Sequence, residues 1–166
     1  VLRVKAWEPY SAYKSLMGMK KGDRVQHGFI QEKSKKNWKQ DLAVWVRGNF
    51  FIPDARMFWI KPSVKYLYSF LEKNPVNAIV TTGPPHSTHL IGMALKKKMD
   101  VPWLADFRDP WTEIDFYHQL KLSRWADRKH HRLERQVLQR ADKVVAVGWY
   151  MADRLAKIAR REVEVV

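Results

Sequence analysis

The sequence predicts an α/β fold: a Rossmann-like parallel sheet with helices on both faces. The first observation is that short runs such as NAIVTTG (residues 77–83) and VPWLADF (101–107) are apolar along most of their length. Strands buried on both faces of a parallel sheet have this composition, whereas half-exposed strands alternate apolar and polar residues. The second observation is that segments of helical periodicity separate these runs, which is the order of a βαβ chain. The length of 166 residues suits one well-packed domain.

The first 37 residues have the weakest pattern. Residues 1–7 alternate as a strand does, and Pro9 favours the start of a short helix over residues 9–19. Residues 20–37 contain glycines and lysines with little periodicity, so we expect a mobile basic loop there.

The next segment, from Trp38 to Asn74, predicts two stretches of helix. Apolar residues recur at helical spacing from Trp38 to Phe51. Pro53 interrupts this pattern, and the Asp54 side chain can cap the second stretch. That second stretch predicts a broken helix that ends near Asn74.

From residue 77 onward strands and helices alternate regularly. The predicted strands are residues 77–83, 101–107, 143–147 and 163–166, and the predicted helices are residues 87–98, 123–141 and 149–159. Ser87 and Ser123 stand where a side-chain oxygen caps a helix. Three lysines fall in the last turn of the first of these helices, where they suit the helix dipole. The predicted buried face of the helix at 123–141 consists of Ala126, His130, Leu133, Val137 and Ala141.

The chain is strongly basic, with a net charge of +14 and an isoelectric point near 10.1. Residues 20–39 and 121–143 each carry a net charge of +5. Such a charge favours an anionic partner: nucleic acid, acidic lipid or a phosphorylated substrate. The alternative for each run taken singly is a solvated face without a partner.

Composition also excludes several classes of protein. The chain contains no cysteine, which excludes a disulfide framework, a thiolate zinc site and a cysteine nucleophile. No apolar run approaches the length of about 20 residues that a membrane-spanning helix needs, and no signal peptide opens the sequence. We therefore expect a cytoplasmic location.

Polar residues follow the strand at 77–83 in the stretch TTGPPHSTH (residues 81–89). Ligands of parallel α/β sheets bind outside the carboxyl ends of the strands. A strand that ends at Gly83 and passes directly into a helix is expected to point free backbone N–H groups at its loop, which favours an anion. His86 lies in this loop and His89 just inside the helix. The alternative is a stiff turn with two polar residues at its rim.

A second polar cluster ends the strand at 101–107, in the stretch WLADFRDPWTEIDFY. Asp106, Arg108 and Asp109 emerge at the carboxyl end before Pro110 interrupts the strand. The alternative to a ligand site is a structural ion-pair network in which an arginine lies between two aspartates. No single helix presents two histidines four residues apart together with a carboxylate, so no metal site is predicted.

These motifs together resemble a known family. TTGPPHSTHLIGMALKKKMDVPWLADFRDPWTEIDFY, followed by LERQVLQRADKVVAV, is similar to the N-terminal domain of bacterial family 4 glycosyltransferases, which have the two-domain GT-B fold. The likeness is strongest over residues 75–158. Upstream, KAWEPYSAYK and GNFFIPDARMFWIKPSVKYL resemble family members that build cell-surface polysaccharides.

The resemblance implies a function for the two loops. In the family, the loop from Gly83 to Ser87 and the loop after residue 107 line the acceptor side of the cleft between the domains. His86 and Arg108 would contact the acceptor or the donor phosphates, and Asp106 and Asp109 would orient the acceptor or hold Arg108. The substrate-binding set expected from the resemblance is Gly83, His86, Ser87, His89 and Arg108, and the catalytic set is Arg108, Asp109 and Asp106. Gly148 stands where the family usually has a serine.

The resemblance also implies the substrates and the extent of the domain. The donor would be a nucleotide sugar, with no further cofactor, and the acceptor a glycan or a lipid-linked sugar. Family members begin with a strand and a glycine-rich loop and continue into a second domain that binds the nucleotide sugar. We find neither in the sequence, so we expect residues 1–166 to be part of an N-terminal domain that is inactive alone.

The basic surface suggests two further partners. Tryptophan and phenylalanine residues interleave with lysine and arginine between residues 35 and 61, which suits the interface of an anionic membrane. The enzyme would then lie peripherally at the inner face of the cell membrane. The rival classes are a nucleic-acid-binding module, for which the net charge and the basic helix at 123–141 argue, and a non-catalytic sugar- or nucleotide-binding domain. No recognition motif for nucleic acid appears, and that helix contains Asp127 and Glu134, so we expect no nucleic-acid partner.

Overall fold

Four parallel strands alternate with helices in the computed structural model, which describes residues 3–4 and 38–166. The helices are α1 (Trp38–Phe50), α2 (Ile60–Lys73), α3 (Ser87–Met99), α4 (Arg124–Arg140) and α5 (Trp149–Ala159). The strands are β1 (Ile79–Gly83), β2 (Trp103–Phe107), β3 (Lys143–Ala146) and β4 (Glu164–Val165). The predicted helix at 9–19, the basic loop at 20–37 and all but two residues of the strand at 1–7 lie outside the described residues.

The sheet has the strand order β1-β2-β3-β4, and every neighbouring pair is parallel. The predicted Rossmann-like parallel sheet is confirmed; the prediction also placed helices on both faces, whereas the described helices that connect the strands share one face. Because consecutive parallel strands in this order are joined by right-handed connections, α3, α4 and α5 lie on the same face. Val80 belongs to the opposite face of the sheet and is 63% exposed.

The main core lies between the sheet and these three helices. Trp103, Ala105 and Phe107 alternate along β2 and are almost completely buried, as expected for one face of a strand. They pack with Val137 and Leu138 of α4 and with residues of β3 and α5. A second, smaller cluster joins α2 to α3. The core therefore fixes the carboxyl ends of β1 and β2 relative to the helices that follow them.

The helix ends agree with the predictions in two cases and differ in one. Ser123 caps α4, since its hydroxyl oxygen accepts from the Ala126 N–H at 3.2 Å. Asn74 is the C-cap of α2. Ser87 is not the N-cap of α3, and that prediction was wrong: His86 occupies the N-cap position with no side-chain cap bond. Ser87 instead begins the helix with its side chain inside the protein, because the helix starts one residue earlier than the serine suggests.

The buried face of α4 also differs from the prediction, since Leu133 is only half-buried and Leu138 is completely buried. Ala126, His130 and Val137 are buried as expected, but Glu134 is completely buried as well. None of the described helices is both long enough and apolar enough to cross a bilayer.

Candidate active site at the carboxyl edge of the sheet

The loops after β1 and β2 begin side by side. Gly83 is in register with Phe107, and the Arg108 N–H donates to the Gly83 carbonyl at 3.1 Å, which continues the ladder by one bond. Parallel strands end at a common edge, and this edge is where ligands of such sheets bind. The fold thus brings the two predicted clusters together.

The tip of the second loop carries exposed charge. The Arg108 Nε donates to Asp106 Oδ2 at 3.1 Å, and the two side chains are 67% and 16% exposed. Asp109 is exposed, and it forms no ion pair with Arg108 among the contacts of the described residues. Among the described residues, Asp106 is therefore the carboxylate that orients the guanidinium, and the Arg108 side chain is largely exposed.

His86 lies at the border between this edge and the interior. Its ring stacks on Trp111 at a centroid distance of 4.9 Å and an interplanar angle of 5°. Burial is the main cause that lowers the pKa of His86 to about 4, and the neighbouring His130 adds to it. The hydrogen bond between His86 and the Pro110 backbone acts in the opposite direction and raises the pKa. The His86 Nδ1 atom is closed to solvent and has no hydrogen-bond partner among the described residues. His86 is therefore a neutral ring at pH 7.

His89 is fully buried behind Gly83. Its Nδ1 lies 2.9 Å from Thr81 Oγ1, which also accepts from Trp103 Nε1 at 2.8 Å. Burial, with a smaller contribution from His86, lowers the pKa of His89 to about 3. Within the described part of the chain the His89 Nε2 has no hydrogen-bond partner, and it lies 2.5 Å from the position that a Cβ on Gly83 would take. Glycine at position 83 is thus required by the close approach of this ring.

The N-terminus of α3 is already occupied by a carboxylate of the same chain. Asp54 Oδ2 accepts from the Ser87 N–H at 2.7 Å, and its Oδ1 accepts from the Arg56 N–H at 2.8 Å. The His89 N–H donates within the turn, to the His86 carbonyl. The prediction of free N–H groups that attract an anionic ligand was therefore wrong for Ser87, because Asp54 supplies the negative charge that this helix end favours.

Beyond its exposed tip, the second loop is tied to α4 by buried polar groups. The Trp111 Nε1 donates to His130 Nδ1 at 3.0 Å. The hydroxyl and the N–H of Thr112 donate to the two oxygens of Glu134 at 2.5 and 3.3 Å. Burial raises the pKa of Glu134, although both bonds from Thr112 oppose the shift. The loop is consequently held at both ends, at Arg108 and at Thr112.

These buried partners were not among the predicted site residues. Asp54 gave no local signal, because its partner Ser87 is 33 residues away. The sequence did contain a local signal for Glu134. Glu134 lies four residues after His130 on the apolar face of a helix, where a carboxylate is out of place unless it is bonded.

The carboxyl edge of the sheet combines the exposed positive charge of Arg108 with the neutral rings of His86 and His89. The Arg108 guanidinium can bind a phosphate or a carboxylate, since its planar donors fit either group. The carboxylates of Asp106 and Asp109 can accept from hydroxyl groups. Within residues 38–166, no three side chains of histidine, aspartate or glutamate are grouped so as to hold a metal ion.

Comparison with known families identifies the domain. Residues 38–166 match the family described as glycosyl transferase 4-like domain. The match covers more than half of the chain, and it includes both loops at the carboxyl edge. Comparisons with curated proteins and with solved structures gave no match. The resemblance to family 4 glycosyltransferases is confirmed, and the chain belongs to the family of glycosyl transferase 4-like domains.

Proposed function

We propose that this glycosyltransferase domain serves the transfer of a hexosyl group from a nucleotide sugar to a glycan or lipid-linked acceptor, in the synthesis of cell-surface polysaccharide. The observation that carries the proposal is Arg108: an exposed guanidinium at the carboxyl edge of the sheet, oriented by Asp106 at 3.1 Å. Family membership supports glycosyl transfer in general. The donor class and the acceptor class are the parts that we propose.

The chemistry requires two things of the protein. The leaving nucleoside diphosphate gains negative charge in the transition state, and a preorganised cation stabilises that charge. The acceptor hydroxyl must also be held in line with the breaking bond. We assign the first task to Arg108 and the orientation of its guanidinium to Asp106. Asp109, which is exposed on the same loop, is available to accept from the acceptor hydroxyl.

The residues of the first loop contribute in a different way. Ser87 and His89 are fully buried, and His86 is half-buried against Trp111. In this proposal Gly83, Ser87 and His89 shape the substrate-binding wall from behind, and His86 forms its border. This loop therefore positions the wall, while the second loop supplies the charge.

We also propose that the enzyme works in the cytoplasm at the inner face of the cell membrane. A lipid-linked acceptor would be presented there, and the net charge of +14 favours an anionic surface.

The test is Arg108→Ala in the active enzyme, assayed with nucleotide-sugar donors. We expect transfer to fall by a factor of about 100 or more, since one preorganised charged contact contributes on the order of 3 kcal/mol to the transition state. Stability should change by only about 0–1 kcal/mol, because the ion pair with Asp106 is largely exposed on the arginine side. Arg140→Ala is the matched control, since Arg140 is an exposed arginine at the far end of α4.

Two outcomes would contradict the proposal. If Arg108→Ala lowers the melting temperature clearly but turnover per folded molecule stays normal, Arg108 only fastens the loop. If the enzyme binds nucleotide sugars without any transfer, the domain has a binding function and the catalytic assignment fails.

A further inference from the structure

The solvent-facing side of α4 is a stripe of arginines. Arg124, Arg128, Arg132 and Arg135 are all exposed. Their spacings of four, four and three residues place them on one face of the helix. Within the described residues, none of the four guanidiniums forms an ion pair. Four cations therefore lie in a row, and no acidic residue of the described part of the chain pairs with them.

The acidic residues of α4 do not interrupt this stripe. Asp127 accepts from the Tyr117 hydroxyl at 3.1 Å and lies 3.3 Å from His131 Nδ1. Glu134 is buried and bound to Thr112. The sequence suggests a helix of mixed charge, but the fold sorts its charges by face. Asp127 stays partly exposed beside the stripe, and the face that carries the four arginines is basic.

Large apolar side chains lie exposed at the first turn of the same helix. Trp125 is 61% exposed, with Lys129 Nζ 4.7 Å from the centre of its ring. The end of α1 adjoins this turn, since the Ser123 N–H donates to Asn49 Oδ1 at 2.7 Å. Phe50, the next residue after Asn49, is 63% exposed. Two exposed aromatic side chains, Trp125 and Phe50, thus lie near the first turn of α4, at one end of the arginine stripe.

We infer that this surface, comprising Arg124, Arg128, Arg132 and Arg135 with Trp125 and Phe50, docks on the anionic surface of a lipid bilayer. Arginines attract acidic headgroups, and exposed tryptophan and phenylalanine insert at the level of the headgroups. A partner that binds through charge alone, such as duplex DNA, would leave the side chains of Trp125 and Phe50 in water. The inference concerns a different surface from the carboxyl edge and does not depend on sugar transfer.

The position of the docking surface on the fold is suited to a membrane acceptor. α4 begins at the carboxyl edge of the sheet and runs back toward the other edge, because it connects two parallel strands. Trp125 is therefore at the same end of the molecule as Arg108. A bilayer that contacts the first turn of α4 would lie beside the candidate active site.

The first test compares two triple charge reversals of equal size. R128E/R132E/R135E changes the proposed surface, and K61E/K65E/K73E makes the same change in net charge on the exposed lysines of α2. Binding of the 166-residue chain to phosphatidylcholine vesicles that contain phosphatidylglycerol is measured by co-sedimentation. We expect the α4 variant to lose at least about tenfold in vesicle affinity and the α2 variant to stay within about threefold of the parent chain. An equal loss in both variants would show that only net charge matters, which would overturn the inference.

The second test separates a bilayer from a nucleic acid. Trp125→Ala removes an exposed ring and leaves every arginine in place, so the fold should stay intact, as a melting curve can check. We expect vesicle affinity to fall about threefold to tenfold and binding to random duplex DNA to stay unchanged. Unchanged vesicle binding, or a chain that binds duplex DNA more tightly than the vesicles, would overturn the inference in favour of a nucleic-acid surface.

Discussion

The loops after β1 and β2 start from neighbouring positions at one edge of the sheet, yet they have opposite characters. The first passes directly into α3, so Ser87 and His89 belong to the first turn of that helix and are fully buried. The second begins with the exposed Arg108 and Asp109 and turns inward only at Trp111. The comparison teaches that polar residues at the end of a strand are not all ligand contacts. A short connection buries them, and a longer one can expose them.

The two loops also differ in charge at neutral pH. Burial keeps His86 and His89 neutral, with pKa values lowered to about 4 and about 3. Arg108 remains charged, since arginine side chains do not lose their proton in proteins. In the proposed function, the first loop therefore contributes shape and rigidity, and the second contributes the charge for glycosyl transfer. Three changes test this division, in order of their expected effect.

The largest effect is expected from Gly83→Ala. The added Cβ would lie 2.5 Å from His89 Nε2 and 3.1 Å from His86 Nδ1, and the His89 ring has no room to move because it is fully buried. We expect a loss of about 3 kcal/mol in the free energy of unfolding, as for a badly overpacked core site. Urea unfolding curves measure it.

Gly148→Ala is the matched control for this change. Nothing lies within 4 Å of the Cβ position at Gly148, and its φ of −172° suits any residue. This control should leave the free energy of unfolding within about 0.5 kcal/mol of the parent. Equal losses in the two variants would mean that His89 does not pack rigidly against Gly83.

The next effect is a loss of stability in acid. The ordinary histidine pKa of 6.5 applies to the unfolded chain, while the folded pKa of His89 is lowered to about 3. Between these values the unfolded state binds a proton that the folded state does not, so stability falls as the pH falls below 6.5. The maximum slope is about 1.4 kcal/mol per pH unit for each such histidine, or about 2 kcal/mol between pH 6.5 and 5.0.

His89→Asn removes the titrating ring and should flatten this dependence by up to that amount, whatever its effect on stability at pH 7. The control is His118→Asn, which makes the same substitution at an exposed histidine of the second loop. Denaturant unfolding at several pH values gives both slopes. If the His89 variant keeps the full acid dependence of the parent, His89 is not held neutral by burial.

The smallest effect on the free energy of unfolding is expected when either of two aspartates is replaced by alanine. Asp54→Ala removes the carboxylate that accepts from the Ser87 N–H at the start of α3, so we expect a loss of about 1 kcal/mol in the free energy of unfolding. Asp109→Ala should change stability by less than about 0.5 kcal/mol, since Asp109 is exposed on the second loop. Thermal melting resolves the difference. A larger loss of stability in Asp109→Ala than in Asp54→Ala would contradict the assignment of a supporting role to the first loop and an exposed, ligand-facing role to the second.

The sequence alone was sufficient for the order of elements. The strands at β1, β2 and β3 and the helices from α1 to α5 follow from apolar runs and helical periodicity, which are local properties of the chain. The Ser123 cap of α4 follows from a local rule as well. The resemblance to family 4 glycosyltransferases also rests on contiguous motifs, TTGPPHSTH and ADFRDPW, which can be read without a structure.

Only the tertiary structure decided which polar groups face the solvent. Asp54 reaches the Ser87 N–H across 33 residues, and Thr112 reaches Glu134 across 22. Spacing along the chain does not encode these partners, because hydrogen bonds between distant segments depend on how helices pack on the sheet. The same packing sorts the charges of α4, with Glu134 inside and the arginines outside. Local pattern fixes the elements, whereas burial, which depends on all of them together, decides whether a polar side chain supports the fold or meets a ligand.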